Sequence, residues 1–227
     1  MEQLLSKQKV RGRVSLRKNH SFQGTIMIPD ISGFSKFVSD TELNIGREIT
    51  KELLTSIIEN NILGLHLSEI EGDAALFYSQ DLFSPEHIKK QYEVWLNKFR
   101  RKIKKLNMRL KTNINLSLKL IVHSGKISTY TIGEFEKLYG KTVIEAHSLL
   151  KNTIKSKTYI LMTKNVFRPN RTETSNSCYF GSQLCEVDGR MEDMDYHYFD
   201  YDIEELSDIL VPIKTSNGIN GSLTLNI

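Results

Sequence analysis

Apolar and polar positions alternate along this chain in a way that predicts several strands and two long helices. Thr25-Ile26-Met27-Ile28 is an apolar run, and it predicts a strand over Gln23 to Pro29. Pro29 is tolerated there because it falls at the strand's end. Asp30, a Ser32-Gly33 turn and a helix-like pattern follow. From Glu42 to Ile62, Ile45, Ile49, Leu53, Leu54, Ile57, Ile58 and Ile62 recur at helical spacing, which predicts an amphipathic helix against a sheet. Asn60-Asn61 and Gly64 stop it. Leu65 to Ile70 and Asp73 to Tyr78 then read as two arms of a hairpin turning at Glu71-Gly72.

Ser84-Pro85 predicts a helix start, with Ser84 as N-cap and Pro85 in the first position. Ile88, Tyr92, Trp95, Leu96, Phe99, Ile103 and Leu106 form the apolar face of that helix. Ile114, Leu116, Leu118 and Leu120 alternate strictly and predict a half-buried strand to His123. Ser124-Gly125 reads as its end, with Lys126 to Ile132 returning as another strand. Val143 to Leu150 reads as a short helix, and Tyr159 to Met162 as a strand. Residues 168 to 177 have loop composition, and Gln183 to Val187 and Tyr196 to Tyr201 are the last strands, Asp188-Gly189 ending the first. Ser222 to Leu225 is a candidate edge strand. This order predicts an α+β fold, a mainly antiparallel sheet with helices packed on it. The organisation expected is a basic arm over 1–20, one domain over 21–203 and an extension over 204–227.

Composition changes this picture little. A chain of 227 residues that is 39% apolar and 26% charged suits one buried core. The net charge of +4 is too small to imply nucleic acid by itself. Its distribution is uneven: Lys98 to Lys111 holds eight Lys or Arg and no acid, whereas Glu186 to Asp208 holds ten acids. Such blocks read as solvated faces, and Trp95 and Phe99 belong to the apolar side of the basic helix, so a stacking surface for nucleic acid is lacking. Cys178 and Cys185 have no further cysteine or histidine cluster to form a zinc site with. No apolar run approaches the roughly 18 residues that a membrane span needs. The start Met1-Glu2-Gln3 lacks a signal peptide's apolar core, and the expected setting is the reducing cytoplasm.

The candidate chemistry lies in Asp30 and Asp73, one at a strand end and one at a hairpin tip. Neighbouring strands would bring the two carboxylates to one divalent cation. Asp30-Ile31-Ser32-Gly33-Phe34 followed by Glu71-Gly72-Asp73-Ala74 resembles the paired metal motifs of class III adenylate/guanylate cyclase catalytic domains. Ile121 to Gly125 resembles that family's next core strand, Tyr139 to Ala146 the approach to its late helix, and Glu186 to Arg190 with Tyr196 to Phe199 its closing hairpin. The matches stand in family order over roughly residues 22 to 201, and Pro29 to Phe34 resembles a divergent bacterial branch of these domains.

The resemblance implies a nucleotide-cyclase-like fold with a ferredoxin-like core, and a two-metal conversion of a nucleoside triphosphate to a cyclic nucleotide and pyrophosphate. It implies Mg²⁺ or Mn²⁺ (two ions) on Asp30, Asp73 and the Ile31 carbonyl, and triphosphate on the backbone of Ser32, Gly33, Phe34 and Ser35. Arg190 falls near the family's phosphate-binding lysine, and Glu69 resembles the guanylyl-type base-selecting glutamate. Its partner position, near Lys137, matches neither the guanylyl nor the adenylyl pattern, so guanine is favoured and a pyrimidine stays open. A homodimer is implied because such sites draw residues from both chains. Two departures stand out. Ile144 and Ser148 occupy the positions of the family's ribose-orienting asparagine and transition-state arginine, with Asn152 one turn further on the same helix face. The alternative reading is therefore an inactive nucleotide-binding regulatory module. Thr131 to Phe135 resembles a diguanylate cyclase signature but lies about 60 residues too late, and reads as chance.

Overall fold

The computed structural model describes residues 21–167, 186–191 and 193–201. The basic arm, the loop over 168–177, both cysteines, the start of the strand expected from Gln183, and the whole C-terminal extension with its edge-strand candidate lie outside the described residues. Eight strands form one sheet, β1 (Ser21–Ser32), β2 (His66–Glu71), β3 (Ala74–Ser79), β4 (Ser117–Ile132), β5 (Phe135–Tyr139), β6 (Tyr159–Thr163), β7 (Glu186–Met191) and β8 (Met194–Asp200). The order is β2-β3-β1-β4-β6-β8-β7, with β5 paired to β4 off this path. All pairings are antiparallel except β4 with β6. The expected α+β layer of sheet and helices is what forms.

Helices α1 (Phe34–Asp40), α2 (Leu43–Ile58) and α3 (Pro85–Leu110) accompany α4 (Lys141–Ser148), which a 3-10 turn over Leu149–Lys151 extends. Alternation along β1 splits its side chains between two cores. Met27 and Ile31 join Ile49, Leu53, Ile57, Trp95 and Phe99 under α2 and α3. Ile26 and Ile28 join Ile121, Ala146 and Leu149 under α4. Trp95 ties the helical layer together, since it is fully buried and its Nε1 donates to the Ile57 carbonyl of α2 at 2.8 Å. Trp95→Ala should cost about 3–5 kcal/mol in urea unfolding, from lost burial and an orphaned carbonyl.

Several boundaries differ from the sequence reading. Ser124-Gly125 does not end a strand, and β4 runs sixteen residues through it. Gly125 faces Gly24 across β1, and Ser124 Oγ lies 3.2 Å from the Thr25 hydroxyl, so the ladder continues where two small residues meet. Asp188-Gly189 likewise lies within β7. The hairpin turns at Gly72-Asp73, one residue later than expected. The Glu42 carboxylate accepts from the Asn44 and Ile45 backbone N–H groups and starts α2 there. Ile45, in the first turn of α2, and Ile62, beyond its end at Ile58, are exposed rather than core. Ser84 caps α3 as expected, accepting from the His87 N–H. Thr131 to Phe135 spans the turn of the β4–β5 hairpin, with Gly133 at φ 60°.

Candidate metal and phosphate site

Asp30 pairs with Ala74 across β1 and β3, and the Ile31 N–H donates to the Asp73 carbonyl at 3.3 Å. This register sets the hairpin tip beside the strand end, so the two aspartates meet. Burial, together with the neighbouring Asp30 charge, pushes the Asp73 carboxyl up to about 6. Lys119 of β4, opposite Asp30, supplies a cation: its Nζ lies 3.0 Å from Asp30 Oδ2 and 3.5 Å from the Leu150 carbonyl. Asp30 and Lys119 are mostly buried, with 13% and 20% of their side chains exposed. Two adjacent carboxylates with one ammonium carry surplus negative charge, and this donor set of hard oxygens suits Mg²⁺ or Mn²⁺. Among the described residues no third His, Cys, Asp or Glu joins them. Any further ligand would be a backbone carbonyl, water or the substrate's own phosphate.

The charge balance carries a pH dependence. An ordinary aspartate titrates near 4, so the folded chain holds the Asp73 proton more tightly than the unfolded chain does. That contribution to stability is complete below about pH 4 and is lost as pH rises through about 6. In metal-free protein the thermal midpoint of wild type should therefore fall relative to Asp73→Asn between pH 4 and 7. The difference should reach the order of 1–2 kcal/mol, and added Mn²⁺ should reverse it.

Beyond Asp30 the chain passes through Ser32 to Gly33, whose φ of 88° makes it the N-cap of α1. A Cβ at Gly33 would stand 3.3 Å from the Asn115 carbonyl oxygen in a backbone region that L side chains avoid. Among the described residues no side chain caps this helix, and its first internal bond runs from the Phe37 N–H to the Gly33 carbonyl. The N–H groups of Phe34 and Ser35 are thus left for a ligand or water.

The remaining sequence candidates are not gathered here in one protomer. Glu69 lies on edge strand β2, and its carboxylate pairs with the Lys137 ammonium of β5. Arg190 lies on β7, four strand spacings or about 19 Å from β1, and pairs at 3.8 Å with Asp195. On α4, Ile144 is 72% exposed, and Ser148 Oγ donates to the Glu145 carbonyl. Asn152 is consumed by structure: its amide donates to the Leu149 carbonyl and the Tyr159 hydroxyl, and its carbonyl accepts the Ile154 N–H. His123 is a satisfied buried residue between Thr163 Oγ1 and Glu145, with burial lowering its pKa. Sequence reading missed Lys119. Its signal was an ammonium at a position whose strand parity matches Ile121, facing the α4 side directly across from Asp30.

Comparison with known proteins bears on the fold. A family model described as a protein of unknown function, DUF2652, matches residues 50–159. Among curated proteins none matches the chain. The guanylyl cyclase Cya2 superposes with a TM-score of 0.59 at 11% identity, covering 84% of this chain and 97% of that one. The guanylyl cyclase domain of the RhoGC fusion protein from Blastocladiella emersonii gives 0.55 at 17% identity, covering 80% and 96%. The adenylyl cyclase CyaB from P. aeruginosa gives 0.54 at 13% identity, covering 83% and 99%. The chain therefore has the fold of nucleotide cyclase catalytic domains.

Proposed function

We propose that this protein is a divergent nucleotide cyclase, binding a nucleoside triphosphate with divalent cations and converting it slowly to a cyclic nucleotide and pyrophosphate. The observation that carries the reading is the meeting of Asp30, Asp73 and Lys119 at the strand end that leads through Gly33 into α1. Asp30, Asp73 and the Ile31 carbonyl would hold Mg²⁺ or Mn²⁺. Bound there, the cations would lower the pKa of the attacking 3′-hydroxyl and neutralise phosphate charge. The backbone N–H groups of Ser32 to Ser35 would receive the triphosphate, with Gly33 permitting close approach. Lys119 would exchange Asp30 for a phosphate oxygen once metal occupies the carboxylates.

A homodimer completes the site in this reading. Arg190 lies four strands from β1, too far across the sheet to serve the same protomer's aspartates, so it would come from the partner, whereas Glu69 lies on the hairpin whose tip carries Asp73. The β4–β5 hairpin exposes Tyr130, Ile132, Phe135 and Tyr139, an apolar set suited to a second copy. The Glu69–Lys137 pair would open to the base, the carboxylate accepting from guanine N1–H and N2–H and the ammonium donating to O6.

A second reading, a nucleotide-binding regulatory module without turnover, is favoured by Ile144 and Ser148, which supply neither an amide nor a guanidinium to developing charge, the Ser148 hydroxyl donating to the Glu145 carbonyl instead. Incubation with each of the four ribonucleoside triphosphates and Mg²⁺ or Mn²⁺ separates the two. Cyclic product with at least one nucleotide supports the cyclase. Nucleotide-dependent thermal stabilisation that requires metal, without product, supports the module. Absence of both sinks the site itself.

A further inference from the structure

The basic block at the end of α3 is not used by the site above. It forms one wall of a groove against α2 with a volume of about 420 Å³. Lys98, Arg101, Lys102 and Lys105 line it from α3, and Lys51, Glu52, Thr55 and Ser56 from α2, with Glu59 and Asn60 just beyond that helix, so five cations face two carboxylates. Two ordinary explanations account for part of this charge. Glu52 takes Lys102 at 3.3 Å and Arg109 at 2.5 Å. A helix C-terminus attracts cations, but only over its last turn, and Lys98 and Arg101 lie two or more turns before Leu110. Lys51, Lys98, Arg101 and Lys105 pair with no carboxylate among the described residues. Four such cations lining one groove repel their nearest neighbours, and a multivalent anion between them relieves the repulsion.

We propose that this α2–α3 groove binds a small ligand carrying two or more phosphates. The shape decides against a nucleic-acid polymer. The cations converge on a recess rather than crown a protruding helix, and no aromatic side chain lines it to stack a base. Trp95 and Phe99, the nearest rings of α3 in sequence, are fully buried on its other side. The groove also stands apart from the aspartate pair. α2 and α3 cover the sheet face of Met27 and Ile31, whereas Asp30 and Lys119 share the strand parity of the α4 face.

Inorganic triphosphate titrated calorimetrically into the full chain, with chelator present to disable any metal site, tests this. Wild type is expected to bind it, and orthophosphate at least tenfold more weakly, because one phosphate meets fewer cations. Lys98→Ala/Arg101→Ala/Lys105→Ala should weaken binding about 100-fold or more with an unchanged thermal midpoint, since all three side chains are exposed. Lys119→Met should leave it intact. Hydrogen exchange should slow over residues 51–60 and 98–105 on binding. Absence of binding overturns the proposal, and so does loss in Lys119→Met with retention in the groove variant. A short oligonucleotide that binds through the same three cations while triphosphate does not would assign the surface to a polymer and overturn it as well.

Discussion

Asp30→Asn should weaken Mn²⁺ binding about 100-fold, while leaving the metal-free protein nearly as stable as wild type. The substitution keeps the side chain's size and removes one of the two charges that a cation would neutralise. A lost charge-assisted ligand bond is worth about 1.5–3 kcal/mol, or about 10- to 100-fold in affinity, and a direct metal ligand belongs at the upper end. Stability should hardly fall because two effects oppose. Lys119 loses its partner at 3.0 Å, but Asp73 loses the like charge that raises its pKa. Lys119 already lowers the Asp73 pKa by its charge, and it can turn to that carboxylate instead. Asp73→Asn should give a matching loss of Mn²⁺ affinity, and the double substitution little more, because either carboxylate alone makes a poor site. Electron paramagnetic resonance titration of free Mn²⁺ measures all three variants. Wild-type affinity in Asp30→Asn would remove the pair from any metal role, whatever the fold.

How far this site was legible follows from which interactions are local. Asp30 and Asp73 could be found because their surroundings announce themselves within a few residues: an apolar strand, a small turn, a glycine at a hairpin tip. The fold class was legible for the same reason, since strand and helix periods are local. Lys119 was not, because its meaning depends on β4 lying against β1 in a particular register. Strand β5 was missed outright. Phe135-Glu136-Lys137-Leu138-Tyr139 lacks an alternating apolar face, and Phe135, Glu136 and Tyr139 are exposed. Pairing with β4 and two polar ties to β2 and β3 hold it, Glu136 accepting from the Tyr78 hydroxyl at 2.6 Å and Lys137 meeting Glu69. Lys137 is matched to Glu69 across the fold, and burial of that contact raises no apolar signal in the sequence. Ser124-Gly125 misled in the opposite direction, because a residue pair that often breaks strands here meets a second small pair, Gly24-Thr25, across the ladder.

Ile144→Asn with Ser148→Arg should raise cyclic-nucleotide formation by about 10⁴-fold, if each restored donor recovers about 10²-fold in rate. The arrangement of α4 makes the experiment fair. Ile144 is 72% exposed, so replacing it removes no core contact. Ser148 is half-buried and bonds only back to the Glu145 carbonyl, so an arginine can leave the helix without stranding a partner. Asn152 cannot act as a substitute donor in wild type, because its amide and carbonyl already hold the turn before Ile154 together with the Tyr159 hydroxyl. The gain should appear in kcat with little change in KM, since donors aimed at developing charge act in the transition state and not on bound substrate. It should vanish when Asp30→Asn is added, which ties any product to the carboxylate pair. A double variant that binds nucleotide and metal as wild type does, yet forms no product, would mean that more than two side chains separate this chain from turnover. The regulatory-module reading would then hold, with Asp30, Asp73 and Lys119 kept as a site for binding alone.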